Sequence, residues 1–297
     1  MDWKEANPGD AAALADLALS SVEADPGVEQ ARAFLRSWRV DLAVEHGVAT
    51  AAVGVLPPSP GHRRGYGAWW HRGHDRADRW HQILDHLGTV AAMVADLDVL
   101  QVSVLSEDTA TASRLAAAGF RPAFPLWTMT HDSTTWPDPP PSLPAPLQPA
   151  RWADADLRSC HQAYARAYED QRPVEPHTAQ TWAQLTAEAS FAAAPARLAV
   201  SPSGPVVGFV LGFQASHGGI ELGPIGTVPE WRHQGVSSAL LSSVLLHCRD
   251  HRIAPITLTV DGESPTGAQR LYERLGFDQT ETLTAFHRHV MPSPGDP

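Results

Sequence analysis

The chain has 297 residues and a mass of 32.0 kDa, which is longer than most single domains, so the sequence predicts two domains. Hydrophobic residues make up 43% and charged residues 19%, and the formal net charge of −11 without a long basic block argues against a nucleic-acid partner. No apolar run reaches the roughly 18 to 20 residues of a membrane span, and the acidic start lacks a signal-peptide pattern, so we expect a cytoplasmic protein without a membrane partner.

Cysteine and histidine, the residues that most often bind transition metals, form no recognised metal motif in this sequence. Cys160 and Cys248 are too few for a disulfide framework and lack CxxC spacing, so we predict two reduced, structural thiols. Five residues in and just after the stretch WWHRGHDRADRWHQIL (69–84) could be taken for a metal cluster: His71, His74, His81, Asp85 and His86. Without a further ligand this pattern is more typical of a solvated helix face, so we predict no metal.

A proline-rich stretch divides the chain into two similar halves. Residues 133–146, STTWPDPPPSLPAP, cannot continue a helix or a central strand, so they predict an interdomain linker. The tripeptide LAV at 42–44 recurs at 198–200, and the segment ending in GF at Phe120 resembles the one ending in GF at Phe277. The offsets are 156 and 157 residues, so we predict two similar domains.

The second half predicts an alternation of strands and helices. One helix carries an apolar face at helical spacing, Val236, Leu240, Leu241, Val244, Leu245 and Cys248. The short segment ITLTV is β-branched and bounded by turn residues, as in a buried strand. In chain order we predict strands at 147–152, 196–201, 205–214, 219–228, 255–260 and 280–289, and helices at 154–170, 178–190, 233–249 and 266–275.

The stretch VPEWRHQGVSSALL (228–241) places small and donor-rich residues where the apolar helix begins. A helix start carries unpaired backbone N–H groups and the positive end of the helix dipole, so small residues there let an anion approach. The same residues are compatible with an ordinary helix cap.

This order of elements, with RHQGVS at a helix start and LYERLGF after the next strand, resembles the GCN5-related N-acetyltransferase (GNAT) family. The resemblance covers the second half well and the first half as a degenerate copy, and it is similar to the tandem-domain type of mycothiol synthase. It implies an α/β (α+β) fold of two tandem GNAT-like domains, each with a mixed, mostly antiparallel sheet flanked by helices. The predicted division is a degenerate domain at 1–132, the linker at 133–146, a catalytic domain at 147–291 and a tail at 292–297.

The resemblance implies acetyl-coenzyme A (acetyl-CoA) as acyl donor. The family signature Q/R-x-x-G-x-G/A surrounds the pyrophosphate with backbone amides; Arg232 and Gly235 match it, and Ser237 replaces the final Gly or Ala. The strand before it is expected to splay so that its backbone pairs with pantetheine, whereas the Asn that often contacts this arm is absent near Ser264. The implied cofactor-binding residues are Ile225, Thr227, Val228, Arg232, His233, Gln234, Gly235, Val236, Ser237, Ser238 and Ser264.

The resemblance also implies two proton-handling residues. An amine is mostly protonated at neutral pH and must lose a proton before it attacks a thioester, and the departing thiol benefits from an acid. Glu221 lies where the mycothiol synthase type has a glutamate proposed as base, although a surface strand carboxylate is the alternative. Tyr272 matches the tyrosine that protonates the thiolate, although an ordinary buried tyrosine is the alternative. The first half has Leu115 at that distance from its GF pair.

The function implied is N-acyl transfer from acetyl-CoA to an amine of a small molecule, which the acidic net charge would favour. The alternative is a non-catalytic acyl-CoA-binding sensor or scaffold. The acceptor is expected to lie near residues 163–182, where Tyr164, Tyr168, Glu169 and Trp182 could line a pocket, but their helical spacing favours core packing.

Overall fold

The computed structural model describes residues 1–19, 27–58, 62–72, 77–138, 140–170, 177–215, 218–264 and 266–290. Contacts divide the chain into two compact units, one containing residues 1–124 and the chain from residue 283, the other containing residues 125–282. The sequence repeat divides the chain at the linker instead, so the strand before the linker and the last strand each begin in one unit and end in the other. The predicted tail at 292–297 lies outside the described residues.

The first unit contains a mostly antiparallel sheet with helices. Its strand order is β1-β2-β3-β4-β5-β12, and among the described strands of this unit only β4 and β5 pair in parallel. Two buried clusters form its core, one under the long helix α3 and one under α1 and α2. The elements are β1 (Asp2–Glu5), α1 (Ala11–Leu19), α2 (Gly27–Ser37), β2 (Arg39–Glu45), β3 (Val48–Leu56), β4 (Arg64–His71), α3 (Ala77–Ala92), β5 (Val99–Leu105), α4 (Thr109–Ala117), the first residues of β6 (Arg121–His131) and the last part of β12 (Phe277–His289).

The second unit has the same kind of sheet. Its strand order is β12-β6-β11-β10-β9-β8-β7. Strands β10 and β11 pair in parallel, whereas β6 with β11, β9 with β10, β8 with β9 and β7 with β8 pair antiparallel. The remaining elements are β7 (Gln148–Arg151), α5 (Leu157–Tyr168), α6 (Ala179–Ala187), β8 (Arg197–Val200), β9 (Val206–Gln214), β10 (Ile220–Thr227), α7 (Val236–His251), β11 (Ile256–Asp261) and α8 (Ala268–Arg274).

The core of the second unit follows the predicted apolar pattern. All six residues of the predicted helix face are buried in α7, which confirms the helical periodicity. Cys160 and Cys248 are buried free thiols, as expected, and burial raises the pKa of Cys248 to about 11. The predicted elements are all observed, but four of their ends differ by three residues. α5 begins at Leu157 rather than at residue 154, α6 ends at Ala187 rather than at residue 190, α7 begins at Val236 rather than at residue 233, and β12 begins at Phe277 rather than at residue 280.

Candidate active site

Strand β10 loses its parallel neighbour half-way along its length. It pairs with β9 on one side throughout, but with β11 only from Ile220 to Leu222. The register against β9 shifts between Leu222 and Ile225, at the Gly223-Pro224 pair. From Ile225 onward one side of β10 therefore pairs with none of the described strands, which confirms the predicted splay.

The backbone groups on this open side already have partners inside the protein. The Ile225 N–H donates to the Tyr168 hydroxyl at 3.3 Å, and that hydroxyl donates to the Ile225 carbonyl at 3.0 Å. The Thr227 carbonyl accepts a bond from Arg232 Nε at 3.2 Å. The backbone groups of Ile225 and Thr227 thus point to the open side of β10, and their pairing with pantetheine stays a prediction.

Val228 does not offer its backbone in the same way. Its N–H donates to the Val207 carbonyl at 2.9 Å, and its carbonyl accepts from the Trp231 N–H at 3.0 Å. The Val228 N–H therefore points toward β9, because alternate residues of a strand point their N–H and C=O to opposite sides. That Val228 pairs with a pantetheine arm stays a prediction.

The start of α7 is an open turn with two left-handed residues. His233 has φ +60° and Gly235 φ +85°, so the helix cannot begin before Val236, three residues later than predicted. The Ala239 N–H donates to the Gly235 carbonyl at 3.0 Å and begins the helical bonding, which leaves the amides of the first turn directed at the approach to the helix. A Cβ added at Gly235 would meet no atom within 4 Å, so the space over this turn is open.

Side chains brace the turn from the strand side. The Ser237 and Thr227 hydroxyls lie 2.7 Å apart and share a hydrogen bond. Ser237 stands where the family signature has Gly or Ala, and this bond gives its hydroxyl a partner below the turn. Gln234 Nε2 donates to the Glu230 carbonyl at 2.8 Å, which closes the turn on itself.

Arg232 ties the turn to the end of α5. Its guanidinium bonds both Asp170 oxygens at 2.5 and 2.8 Å and the Ala167 carbonyl at 3.0 Å. The hydrogen bond with Asp170 raises the pKa of Arg232, and the Arg232 side chain is only 18% exposed. Arg232 therefore holds the turn in place, and any charge on a bound phosphate would be met mainly by backbone amides. His233 is exposed beside it.

Glu221 and Tyr272 occupy contrasting environments. Glu221 points away from the core because its strand neighbours Ile220 and Leu222 are buried, and the described residues form no hydrogen bond or ion pair with its carboxylate. Tyr272 in α8 is 7% exposed, and burial raises its pKa, so its hydroxyl stays protonated at neutral pH. The pKa of Tyr168 is raised mainly by burial, and the nearby Tyr272 raises it further.

The loop after β11 contains Ser264, whose hydroxyl shares a bond with that of Thr266 at 2.9 Å. The buried Gln269 closes this loop, because its Nε2 donates to the carbonyls of Asp261 and Gly262, both at 2.8 Å. Sequence reasoning missed Gln269, since a glutamine in a short helix gives no signal that it bonds backwards to a preceding loop.

The aromatic residues of α5 and α6 divide into core and surface. Tyr164 and Trp182 are each 2% exposed and stack with ring centroids 4.6 Å apart, which confirms core packing. Tyr168 is half-buried and Glu169 exposed. Residues 171–176 of the expected acceptor region lie outside the described residues.

Two histidines of the candidate metal cluster each pair with one carboxylate. His81 pairs with Asp85 at 3.1 Å, and His86 pairs with Asp41 at 2.7 Å while stacking on Trp3. Within the described ranges, which leave out His74, no three His, Cys, Asp or Glu residues are close enough to hold a metal ion. The described helices also include none that is long and apolar enough to cross a membrane.

Residues 157–277 match the model of the acetyltransferase (GNAT) family. This match contains β10, the open turn and α8. This segment is a GNAT domain. The resemblance predicted from RHQGVS and LYERLGF is therefore confirmed for this part of the chain.

Two proteins similar to this chain are named mycothiol acetyltransferase. The relative from Thermobispora bispora is 34% identical over 194 residues, which cover 61% of this chain and 63% of the relative. The relative from Nocardiopsis dassonvillei is 39% identical over 72 residues, 24% of this chain and 22% of the relative. The matches thus span less than two thirds of either relative's length.

Two solved structures share the fold over nearly the whole chain. A GCN5-related N-acetyltransferase from Sphaerobacter thermophilus has a TM-score of 0.76 at 24% identity, covering 98% of this chain and 96% of that one. A tandem GNAT protein from the clavulanic acid biosynthesis pathway has a TM-score of 0.75 at 15% identity, covering 98% and 99%. The expected tandem GNAT fold is therefore confirmed.

Proposed function

We propose that this protein is an N-acetyltransferase that transfers the acyl group of acetyl-CoA to an amine of a small molecule by direct attack in a ternary complex. The observation that carries the proposal is the open turn at Gly235, which follows the side of β10 that no described strand covers. A pyrophosphate fits the first feature and an extended amide arm fits the second.

The donor site consists of backbone more than of charged side chains. The amides from Gln234 to Ser238 would hold the pyrophosphate, and the open-side groups of Ile225 and Thr227 would pair with the pantetheine arm. Bound acetyl-CoA supplies the activated thioester. Two hydrogen bonds join the turn to β10, one from Arg232 to the Thr227 carbonyl and one between the Ser237 and Thr227 hydroxyls. They would hold the turn and the strand in fixed positions for the pyrophosphate and the pantetheine arm.

Two side chains would handle the protons. Glu221 would accept the proton that the amine loses as it attacks, because its exposed carboxylate has no partner among the described residues. Tyr272 would donate a proton to the departing thiolate, and its raised pKa keeps that proton in place at neutral pH. The chain otherwise contributes orientation of the two substrates.

The acceptor is proposed only as a class. Two relatives bear the name mycothiol acetyltransferase, which supports an amine on a small thiol precursor among the candidates. Amino acids, antibiotics and peptide N-termini are the other candidate acceptors.

The test is thiol release from acetyl-CoA across a panel of these amines, followed by mass analysis of the product, with calorimetry of acetyl-CoA binding in parallel. We expect one acetyl-CoA bound per chain and one acetylated amine. Binding without release for any amine would indicate a sensor or scaffold, and no binding would refute the proposal.

A further inference from the structure

The hydroxyl of Tyr168 occupies the open side of β10. It donates to the Ile225 carbonyl at 3.0 Å and accepts from the Ile225 N–H at 3.3 Å, so one side chain holds both backbone groups of one strand residue. These are the groups that an added strand or amide arm would use at this position.

Tyr168 is held there by the close approach of α5 to β10. A Cβ at Gly226 would lie 2.9 Å from the Ala167 Cβ, so the helix end can come this near only because residue 226 is glycine. Arg232 binds the Ala167 carbonyl and the Asp170 carboxylate, which lie before and after Tyr168 in the chain. The tyrosine is therefore part of a braced helix end.

The Ile225 N–H can make one good hydrogen bond, so it cannot serve the Tyr168 hydroxyl and an amide carbonyl together. Without the Tyr168 hydroxyl, the Ile225 N–H and C=O would be left unpaired or bonded to water on the open side of β10. The tyrosine hydroxyl thus substitutes for one peptide unit of a neighbouring strand.

We propose that Tyr168 is a positioning residue that acts as an internal competitor of acetyl-CoA. Its hydroxyl occupies Ile225 in the free protein and gives up these bonds when the pantetheine arm pairs with β10. This inference rests on the proposed function, because it takes the amide arm of acetyl-CoA as the competing ligand.

Removing the hydroxyl should therefore have opposite effects on the free and bound states. Tyr168→Phe should lower the thermal midpoint of the free protein, because the Ile225 groups lose their partner. The same variant should bind acetyl-CoA about three- to tenfold more tightly, since the arm no longer displaces a hydrogen-bonded hydroxyl. Saturating acetyl-CoA should then reduce the difference in thermal midpoint between the two proteins.

Two controls separate this from a general change in stability. Adenosine 3′,5′-bisphosphate has the nucleotide end but no pantetheine arm, so its affinity should be equal in wild type and Tyr168→Phe. Tyr164→Phe changes a tyrosine one turn earlier in α5 whose hydroxyl accepts from the His177 N–H at 3.2 Å. That variant should be less stable without binding acetyl-CoA more tightly.

A measurement on the unchanged protein covers the case in which Tyr168→Phe does not fold. The Ile225 amide resonance should shift on addition of acetyl-CoA and stay in place on addition of adenosine 3′,5′-bisphosphate, whereas the Gly235 resonance should shift with both. Acetyl-CoA binding with equal or lower affinity in Tyr168→Phe, or an unmoved Ile225 resonance, would overturn the inference and leave the proposed function standing. Failure of the wild type to bind acetyl-CoA would refute the proposed function itself.

Discussion

The two units contain the same strand arrangement at the position of the candidate site but surround it with different side chains. Strand β4 pairs in parallel with β5 from Arg64 to Tyr66 only, just as β10 pairs with β11 over three residues. Beyond this point in the first unit, Trp69 lies 5.8 Å from Trp80 of α3, and the Arg114 guanidinium lies 4.8 Å from the same ring. In the second unit Gly235 precedes the helix α7, and a Cβ added at Gly235 would meet no atom within 4 Å.

The position of the proposed acid differs too. Counted back from the GF pair, Leu115 in the first unit corresponds to Tyr272 in the second, and Leu115 is fully buried. We infer from this comparison that a retained strand splay does not by itself make a cofactor site, because the volume of the surrounding side chains decides whether an anion reaches the backbone. We propose that the first half is a degenerate copy that binds no acetyl-CoA.

The largest effect is expected from separating the halves at the linker. Residues 126–131 of β6 pair with β11 in the second unit, so a chain that begins at Pro146 loses this strand and exposes the edge of β11. It should aggregate on size-exclusion chromatography. A chain of residues 120–282, which keeps β6, is the control and should be monomeric. A monomeric chain from Pro146 with full acetyl-CoA affinity would show that β6 is dispensable.

Glu221→Gln should lower turnover by about a hundredfold or more at neutral pH, because the amine then has no base. Its rate should rise with pH toward that of the wild type as the free amine, with a pKa of about 10.4, loses its proton unaided. A pH profile of turnover with saturating substrates checks this. Equal rates at neutral pH would reduce Glu221 to a surface carboxylate.

Tyr272→Phe should lower turnover about ten- to a hundredfold and leave acetyl-CoA affinity unchanged. This loss is smaller than that of Glu221→Gln, because the thiol has a lower pKa than the amine, so the thiolate leaves without an acid more easily than the amine attacks without a base. Because burial raises the pKa of Tyr272, the wild-type rate should show no loss from its ionisation between neutral pH and pH of about 10. Steady-state kinetics and calorimetry together test this, with Tyr164→Phe as a matched tyrosine control. Unaltered turnover would mean that another group supplies the proton.

Gly235→Ala should weaken acetyl-CoA binding about tenfold, because a Cβ enters the space over the turn and strains a residue at φ +85°. Gly119→Ala in the first unit is a matched control, since Gly119 has φ +88° and equally open surroundings. Both variants should lose a few degrees of thermal midpoint, but only the first should lose affinity in calorimetry. An equal affinity in both would remove the phosphate turn from the proposal.

Much of the second unit was predictable because its information is local. The spacing from Val236 to Cys248 predicted α7, and the glycines and proline of β10 predicted its interruption, since each of these patterns acts on the residues that carry it. The helix start was misplaced by three residues because His233 takes a left-handed conformation that its residue type does not announce.

Only the tertiary structure decided which groups of the candidate site already have hydrogen-bond partners inside the protein. The bond from Tyr168 to Ile225 joins residues 57 apart in the chain, and the pair of Arg232 with Asp170 joins residues 62 apart. The placement of β6 beside β11 is equally remote from any local pattern. By itself the sequence determined the elements, the repeat and the turn at Gly235. It could not determine these pairings, because a hydrogen bond depends on where two groups meet in space and residue spacing along the chain does not encode that distance.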